Sequence, residues 1–378
     1  MKRRILFYSV GRSDYDRYLP ILENLNKKKV DFAIALNEVH LSSKFGFTYK
    51  FIDKKFKIFK PYKTNNMFKN EEDLIDNFSM SINFLNKIFK VYKPNLLVVL
   101  GDRYEMLCAP ICAMQYNIPI IHFYGGSTTT GSIDEYIRHA ITKMSHYHFV
   151  ATNDYKNKII KINQRKNNVK VSGLVGFNKS IKKKIIDKKK FFKKINLKPQ
   201  KFILLCFHPE TKTNISLNFQ LKIFENIIKK INLRFIITYP NADIGNEEII
   251  NFYKKISRLN SNVTLIKNCG QDQFINFIHY SLLVLGNSSS GIVETSFFNK
   301  LSLNIGSRQN GKVIPKNVLN VRWNEKNIVN VINKILNNKN FKKKNLTSNP
   351  YKEKISAINI SKFLTNVNLT KLKIQDNE

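Results

Sequence analysis

The stretch NLLVVLGDRYEMLCAPICAMQYNIPIIHFYGG, Asn95 to Gly126, decides the fold. It opens with a continuous apolar run closed by glycine, NLLVVLG, and ends with a second run of the same form, IPIIHFYGG, across a helix-length segment. Uninterrupted apolar runs of strand length belong to strands covered on both faces, and such strands pair in parallel sheets through helical crossovers. The same alternation extends to either side. Upstream stand RILFYSV, the helical pattern YLPILENLNKK, the run VDFAIAL and the amphipathic segment EEDLIDNFSMSINFLNKIFKVYK; downstream SHYHFVAT repeats the strand form. This is βαβ alternation and predicts a doubly wound α/β lobe.

A lysine-dense segment, Lys179 to Lys198, marks a shift in composition, after which the pattern restarts. KFILLCFHPE, LRFIITYPNAD, VTLIKNCG, LLVLGNSSSG and LSLNIGSRQNG alternate with helical segments and predict a second α/β lobe. The expected division is an N-terminal lobe over residues 1–178, a second lobe over 179–350, and a helix with a polar tail over 351–378. Two doubly wound lobes would place a cleft between the carboxyl ends of their sheets, where loops converge on a ligand.

With 378 residues and 43% hydrophobic content, the chain suits two ordinary domains with sizeable cores. No apolar run reaches membrane-spanning length, and the run from Ile5 to Val10 is too short for a signal-peptide core, so a cytoplasmic protein without a membrane partner is expected. Cys108, Cys112, Cys206 and Cys269 lie in apolar segments and match neither zinc nor disulfide spacing. The formal net charge of +37 is mostly lysine spread over surfaces. Groove-reading and base-stacking motifs are missing, so nucleic acid is not the expected partner; the field favours small anionic substrates.

Four strand ends carry the polar residues that chemistry needs. GRSDY (Gly11–Tyr15) follows the first strand, where Arg12 can grip a phosphate with two parallel N–H bonds. LGDRYE closes a buried strand with Asp102, a candidate general base if burial lifts its pKa; the plainer alternative is a helix cap. GNSSSGIVE brings Gly286, Asn287, Ser288, Ser289, Ser290 and Gly291 to the start of a helix, a setting suited to a diphosphate, with Glu294 placed for ribose hydroxyls. In CFHPET, His208 stands at a strand end and Pro209 stops the strand. SIDE, from Ser132 to Glu135, fits a capping box. The helix it starts should turn Ile133, Ile137, Ala140, Ile141 and Met144 inward, pairing Asp134 with Arg138 and Glu135 with His139. Gly125 and Gly126 allow a close backbone approach.

Taken together, GRSDY, HLSSKFGFTY, LGDRYE, GSIDEYIRHAITKMSHYHF, HPET, TYPNAD and GNSSSGIVE…LNIGSRQNGK resemble the UDP-N-acetylglucosamine 2-epimerase family over about residues 5 to 320. The likeness is greatest to its hydrolysing branch, which opens sialic and legionaminic acid biosynthesis. The resemblance implies a glycosyltransferase-B-like pair of Rossmann-like lobes, a UDP-sugar substrate, no metal or nicotinamide cofactor, and self-association. It implies abstraction of the C2 proton, elimination of UDP to a glycal, and addition of water with inversion at C2. On matching positions Asp102 and Asp134 would be the acid/base carboxylates, joined by Glu135, Arg138 and His208. Arg12, His40, Gly125, Gly126, Ser127, Asn241, Asn287, Ser288, Ser289, Ser290, Gly291, Glu294 and Arg308 would bind substrate.

The chain departs from the pattern at two places. Several relatives carry a glutamate where Tyr124 stands, and the hydrolysing branch commonly has Gly-Gly-Glu where this chain has Gly125-Gly126-Ser127. That leaves three readings open: Asp134, Glu135 or Tyr124 takes over; the substrate differs; or the chain binds nucleotide sugar without efficient turnover. A non-hydrolysing epimerase is the alternative within the family.

Overall fold

The computed structural model describes residues 3–43, 46–61, 71–128, 133–163, 166–177, 181, 184–210, 213–240, 245–267, 269–338 and 349–374. The chain forms two compact units. The first comprises residues 1–127, 133–177 and 353–378; the second comprises 128–132 and 178–352.

In the first unit the described strands are β1 (Arg4–Ser9), β2 (Asp31–Leu36), β3 (Ile58–Phe59), β4 (Leu96–Leu100), β5 (Ile120–Phe123), β6 (Tyr147–Val150) and β7 (Val169–Val171). They pair in the order β3-β2-β1-β4-β5-β6-β7, every pair parallel. The apolar runs from the opening stretch are β4 and β5, aligned Leu97 with Ile120 through Leu100 with Phe123. Both are covered on both faces, which explains their uninterrupted hydrophobicity. The chain winds outward from β1 in one direction and from β4 in the other. The carboxyl ends of β1 and β4 therefore flank the switch point, where an open α/β sheet offers its binding crevice.

The C-terminal helix Ala357–Asn366 belongs to this unit. Ile360 and Leu364 join the core under the helix Arg12–Lys27, Ser361 Oγ donates to the Ile21 carbonyl at 3.2 Å, and Phe363 lies 4.4 Å from Tyr147, ring centre to ring centre.

The second unit repeats the plan with β8 (Phe202–Cys206), β9 (Arg234–Thr238), β10 (Val263–Ile266), β11 (Leu283–Gly286), β12 (Ser302–Ile305) and β13 (Val318–Val321). The order is β10-β9-β8-β11-β12-β13, again all parallel, so β8 and β11 flank its switch point. Within the lysine-dense segment, the helix Lys188–Lys194 buries Phe191 and Phe192 and leaves its lysines exposed. Asp187 caps it by accepting from the backbone N–H groups of Lys189 and Lys190. Cys108, Cys112 and Cys206 are buried thiols. No helix among the described residues is long and apolar enough to cross a membrane.

Candidate active site

The β1 end is built on Asp14. Its carboxylate accepts from the backbone N–H of Val10 at 2.9 Å and of Gly11 at 3.3 Å, tying the turn to the first coil of the following helix. Burial lifts Asp14 from 3.8 to about 6, against the pull of these donors and of Arg103. Arg12 lies 4.1 Å over the Phe51 ring and 3.8 Å from Asp16, which hold its guanidinium at the turn. His40 is fully buried, and burial, with Arg103 nearby, lowers its pKa to about 4. Ser9 Oγ donates to the Gly11 carbonyl at 3.3 Å, so the neutral imidazole donates to Ser9 from Nε2 at 2.9 Å and accepts from Thr48 at Nδ1, also at 2.9 Å. Proposed from the sequence as a substrate contact, His40 has both ring nitrogens engaged in joining the β1 and β2 ends.

Arg138 organises the neighbouring edge. Its side chain is 1% exposed, and Nε and Nη2 both donate to Asp102 Oδ2, Nε at 3.0 Å. Nη1 donates to Glu135 Oε2 at 2.6 Å and to the Ser127 carbonyl at 2.7 Å. Burial alone would favour loss of its proton; Asp102 first, then Glu135 and Asp134, reverse that and hold the guanidinium charged. Glu135 Oε1 meets His139 Nε2 at 2.9 Å. One buried cation thus joins the β4 end, the loop after β5 and the helix Asp134–Met144.

Two expectations change here, those for Asp102 and for the inward face of the helix Asp134–Met144. Asp102 is not an isolated desolvated acid: a third of its side chain stays exposed, and it faces Arg138. Nor does it cap a helix, since Arg103 holds the cap position of the short turn Tyr104–Leu107. The Glu135 carboxylate goes to Arg138 and His139, while Ser132, the other half of the expected capping box, lies outside the described residues. In the helix Asp134–Met144, Ile141 is buried and Ile137 and Met144 pack against the core, but Ile133 and Ala140 are exposed and Arg138 points inward. Its ion pairs make that burial tolerable.

The Gly125–Gly126 turn needs both glycines. A Cβ on Gly125 would come within 2.8 Å of the His122 ring, and one on Gly126, at φ +77°, within 2.4 Å of the Tyr155 carbonyl. Tyr124 also takes a left-handed backbone, φ +63°, and its hydroxyl accepts from the Val175 N–H at 3.1 Å. That bond anchors Tyr124 to the segment after β7.

In the second unit, Asn287 is fully buried and clasps the His208 backbone. Oδ1 accepts from its N–H at 2.8 Å, and Nδ2 donates to its carbonyl at 2.9 Å. Gln309 Nε2 donates to the Asn287 carbonyl at 2.7 Å, and Glu210 accepts from Asn287 Nδ2 and Ser307 Oγ, each at 3.4 Å. The ends of β8, β11 and β12 are locked by these bonds. Gly286, at φ +133°, is required because a Cβ would lie 2.0 Å from the Cys206 carbonyl. Burial, with Arg308 nearby, lowers His208 to about 3, so its imidazole is neutral at ordinary pH.

Ser288 Oγ accepts from the Ser290 N–H at 3.4 Å, and Ser289–Gly291 form a single 3-10 turn. Gly291 therefore closes that turn, and the helix holding Glu294 is the short Val293–Phe297. Asn241 lies outside the described residues. Among the described residues no group of three or more His, Cys, Asp or Glu side chains is arranged to hold a metal ion.

The supports that went unassigned in the sequence are Asp14, His122, Thr142, Glu210 and Gln309. All five stood inside quoted stretches, but none carries a local signal that names its partner in the fold.

A family model described as UDP-N-acetylglucosamine 2-epimerase matches residues 23–365. The chain is 33% identical to the GDP/UDP-N,N'-diacetylbacillosamine 2-epimerase (hydrolyzing) of Campylobacter jejuni, over 86% of this chain and 85% of that protein. It is 31% identical to the UDP-N,N'-diacetylbacillosamine 2-epimerase (hydrolyzing) of Legionella pneumophila, over 85% of each. The fold is shared with the UDP-GlcNAc 2-epimerase of Methanocaldococcus jannaschii, solved with UDP-GlcNAc and UDP: TM-score 0.76, 17% identity, 96% of this chain and 99% of that one. This chain belongs to the UDP-N-acetylglucosamine 2-epimerase family.

Proposed function

We propose that the protein is a hydrolysing nucleotide-sugar 2-epimerase. It would convert UDP-N-acetylglucosamine, or its 2,4-diacetamido-6-deoxy analogue, and water to UDP and the N-acetylmannosamine-type sugar, a precursor of sialic or legionaminic acid. The relatives named for diacetylbacillosamine favour the 2,4-diacetamido substrate. The observation that carries the reading is buried Arg138 holding Asp102 and Glu135 at the carboxyl ends of β4 and β5, beside the first unit's switch point.

Asp102 takes the C2 proton. Arg138 holds its carboxylate by two bonds to Oδ2. The C2–H electron pair forms the C1=C2 bond of the glycal as the C1–O bond breaks and UDP leaves with that bond's electrons. Water then adds through oxygen at C1 as Asp134, entering the step protonated, delivers a proton to C2 on the opposite face; the proton the water loses restores Asp134, and the one taken by Asp102 passes to solvent. The second unit's Ser288, Ser289 and Ser290 hydroxyls, with neutral His208, are assigned to diphosphate binding. Burial raises the Tyr124 hydroxyl above its ordinary value, which weakens it as a substitute acid. The Glu135 carboxylate is taken by Arg138 and His139, and the role is assigned to Asp134, on the first turn of its helix.

Asp102→Asn tests the assignment. Loss of a positioned acid/base group costs about 10²–10⁴-fold in rate. UDP release should fall by at least about 100-fold with the dissociation constant for UDP within about threefold of wild type. A variant keeping more than about a tenth of wild-type turnover would remove Asp102 from the mechanism.

A further inference from the structure

His122 lies on β5 beneath the two loops that carry the proposed chemistry, fully buried, and nothing above gives it a role. Its Nε2 is 2.8 Å from the Gly101 carbonyl. A carbonyl only accepts, so Nε2 carries the proton. Nδ1 faces Thr142 Oγ1 at 3.4 Å, which presents a hydroxyl hydrogen to it. The ring also forms the floor of the Gly125 turn, where an added Cβ would meet it at 2.8 Å. Gly101 itself is left-handed, φ +79°, and its N–H donates to the Phe123 carbonyl at 2.9 Å. Gly101, the residue leading into Asp102, is thus gripped from β5 at both ends: by backbone through its N–H and by imidazole through its carbonyl.

We infer that His122 is a positioning residue: its Nε2–H fixes the Gly101 carbonyl, and thereby the Asp102 carboxylate, while its ring sets the height of the Gly125–Gly126 turn. The inference rests on the assignment of Asp102 as base. His122 touches no substrate; it acts through the peptide before Asp102. Burial lowers it to about 4, so at neutral pH it stays a neutral donor of fixed tautomer and takes no proton from the reaction. The charges facing it are Asp102 and Arg138, whose opposite effects on the ring are smaller than that of burial, and the titratable His148 ring on β6 stands edge-on 6.0 Å away.

Three variants separate positioning from simple structural support. His122→Phe keeps ring volume and removes the donor, His122→Gln can set an amide N–H near the Nε2 position, and Thr142→Val removes the hydroxyl at Nδ1. A displacement of about 1 Å at a reacting group costs up to about 100-fold. His122→Phe should lose about 100-fold in kcat with KM and UDP affinity within about threefold, and His122→Gln should recover about tenfold of that loss. In parallel, imidazole ¹⁵N shifts of the unmutated, histidine-labelled protein should show His122 as the neutral Nε2–H tautomer from pH 5 to 9.

Wild-type protein that releases no UDP overturns the functional reading, and the positioning role with it. With active wild type, the role alone falls if His122→Phe turns over within threefold of it. It falls equally if His122→Gln is no better than Phe, or if kcat and UDP affinity drop together. Should the Phe variant not fold, Thr142→Val and the ¹⁵N shifts decide: an Nδ1–H tautomer, or titration near 6.5, refutes the geometry.

Discussion

Replacing Arg138 with methionine removes the guanidinium donors from the first unit's charge network while largely keeping side-chain length. The guanidinium is 1% exposed and serves Asp102, Glu135 and the Ser127 carbonyl. Breaking a buried ion pair by deleting one partner costs about 3–5 kcal/mol, because the other charge is stranded. Here the stranded carboxylates keep 33% and 19% of their side-chain exposure, so water reaches both and the expected cost falls to about 2–3 kcal/mol. For a unit of this size, that lowers the melting temperature by about 4–12 °C. The assay is thermal unfolding by circular dichroism at pH 7, with UDP release measured on the folded fraction. Arg138→Lys should be intermediate, since a point charge cannot reproduce the planar fork. Adding Asp102→Asn and Glu135→Gln to Arg138→Met should restore at least half the lost stability, because no charge is then left unpaired. Melting of Arg138→Met within about 2 °C of wild type, or no recovery in the triple variant, would refute the view of Arg138 as the cation that makes this edge stable.

Three further outcomes are expected. Asp14 has a folded pKa above its ordinary value, so its contribution is present when protonated and is lost as pH rises through about 6; the rise from 3.8 corresponds to about 3 kcal/mol. Asp14→Asn should therefore gain melting temperature relative to wild type between pH 5 and 8, and a difference that stays flat across that range contradicts the assignment. Gly286→Ala forces a Cβ to 2.0 Å from the Cys206 carbonyl and should cost at least about 3 kcal/mol, read as a lower urea midpoint; an unchanged midpoint would show that the β8–β11 approach is looser than described. Asn287→Asp exchanges the donor to the His208 carbonyl for a carboxylate oxygen, with a cost of about 1–3 kcal/mol. UDP should bind about tenfold or more weakly in titration calorimetry, and unaltered affinity would detach His208 from the nucleotide site.

Much of the architecture was legible because burial on both faces leaves a plain mark. NLLVVLG and IPIIHFYGG could not be so uniformly apolar and also face water, and they are the adjacent strands β4 and β5. The strands that escaped notice, β3, β7 and β13, are short edge strands whose stretches IF, VKV and VLNV carry too little pattern to separate from loop. Strand-end motifs located Asp102, His208, Asn287 and the serines, since parallel sheets bring loops to their carboxyl ends. Partnerships were harder to read. Helical periodicity placed Ile133 and Ala140 inward, and the structure buries Arg138 instead, because two carboxylates and a carbonyl compensate its desolvation. Hydrophobicity has no way to register that compensation. His40 and His122 posed the same difficulty: polar residues become structural when two hydrogen-bond partners, distant in sequence, meet them in the fold.

The central claim, that UDP leaves by elimination across C1–C2 and water completes the reaction, is tested most directly in deuterated water. The protein is incubated separately with UDP-N-acetylglucosamine and with its 2,4-diacetamido-6-deoxy analogue, and both UDP and sugar are followed by NMR. The account predicts that one of them yields free UDP in step with an N-acetylmannosamine-type sugar bearing deuterium at C2. Free UDP with protium retained at C2, C2 exchange with UDP still attached, or binding of both compounds without either change would contradict it.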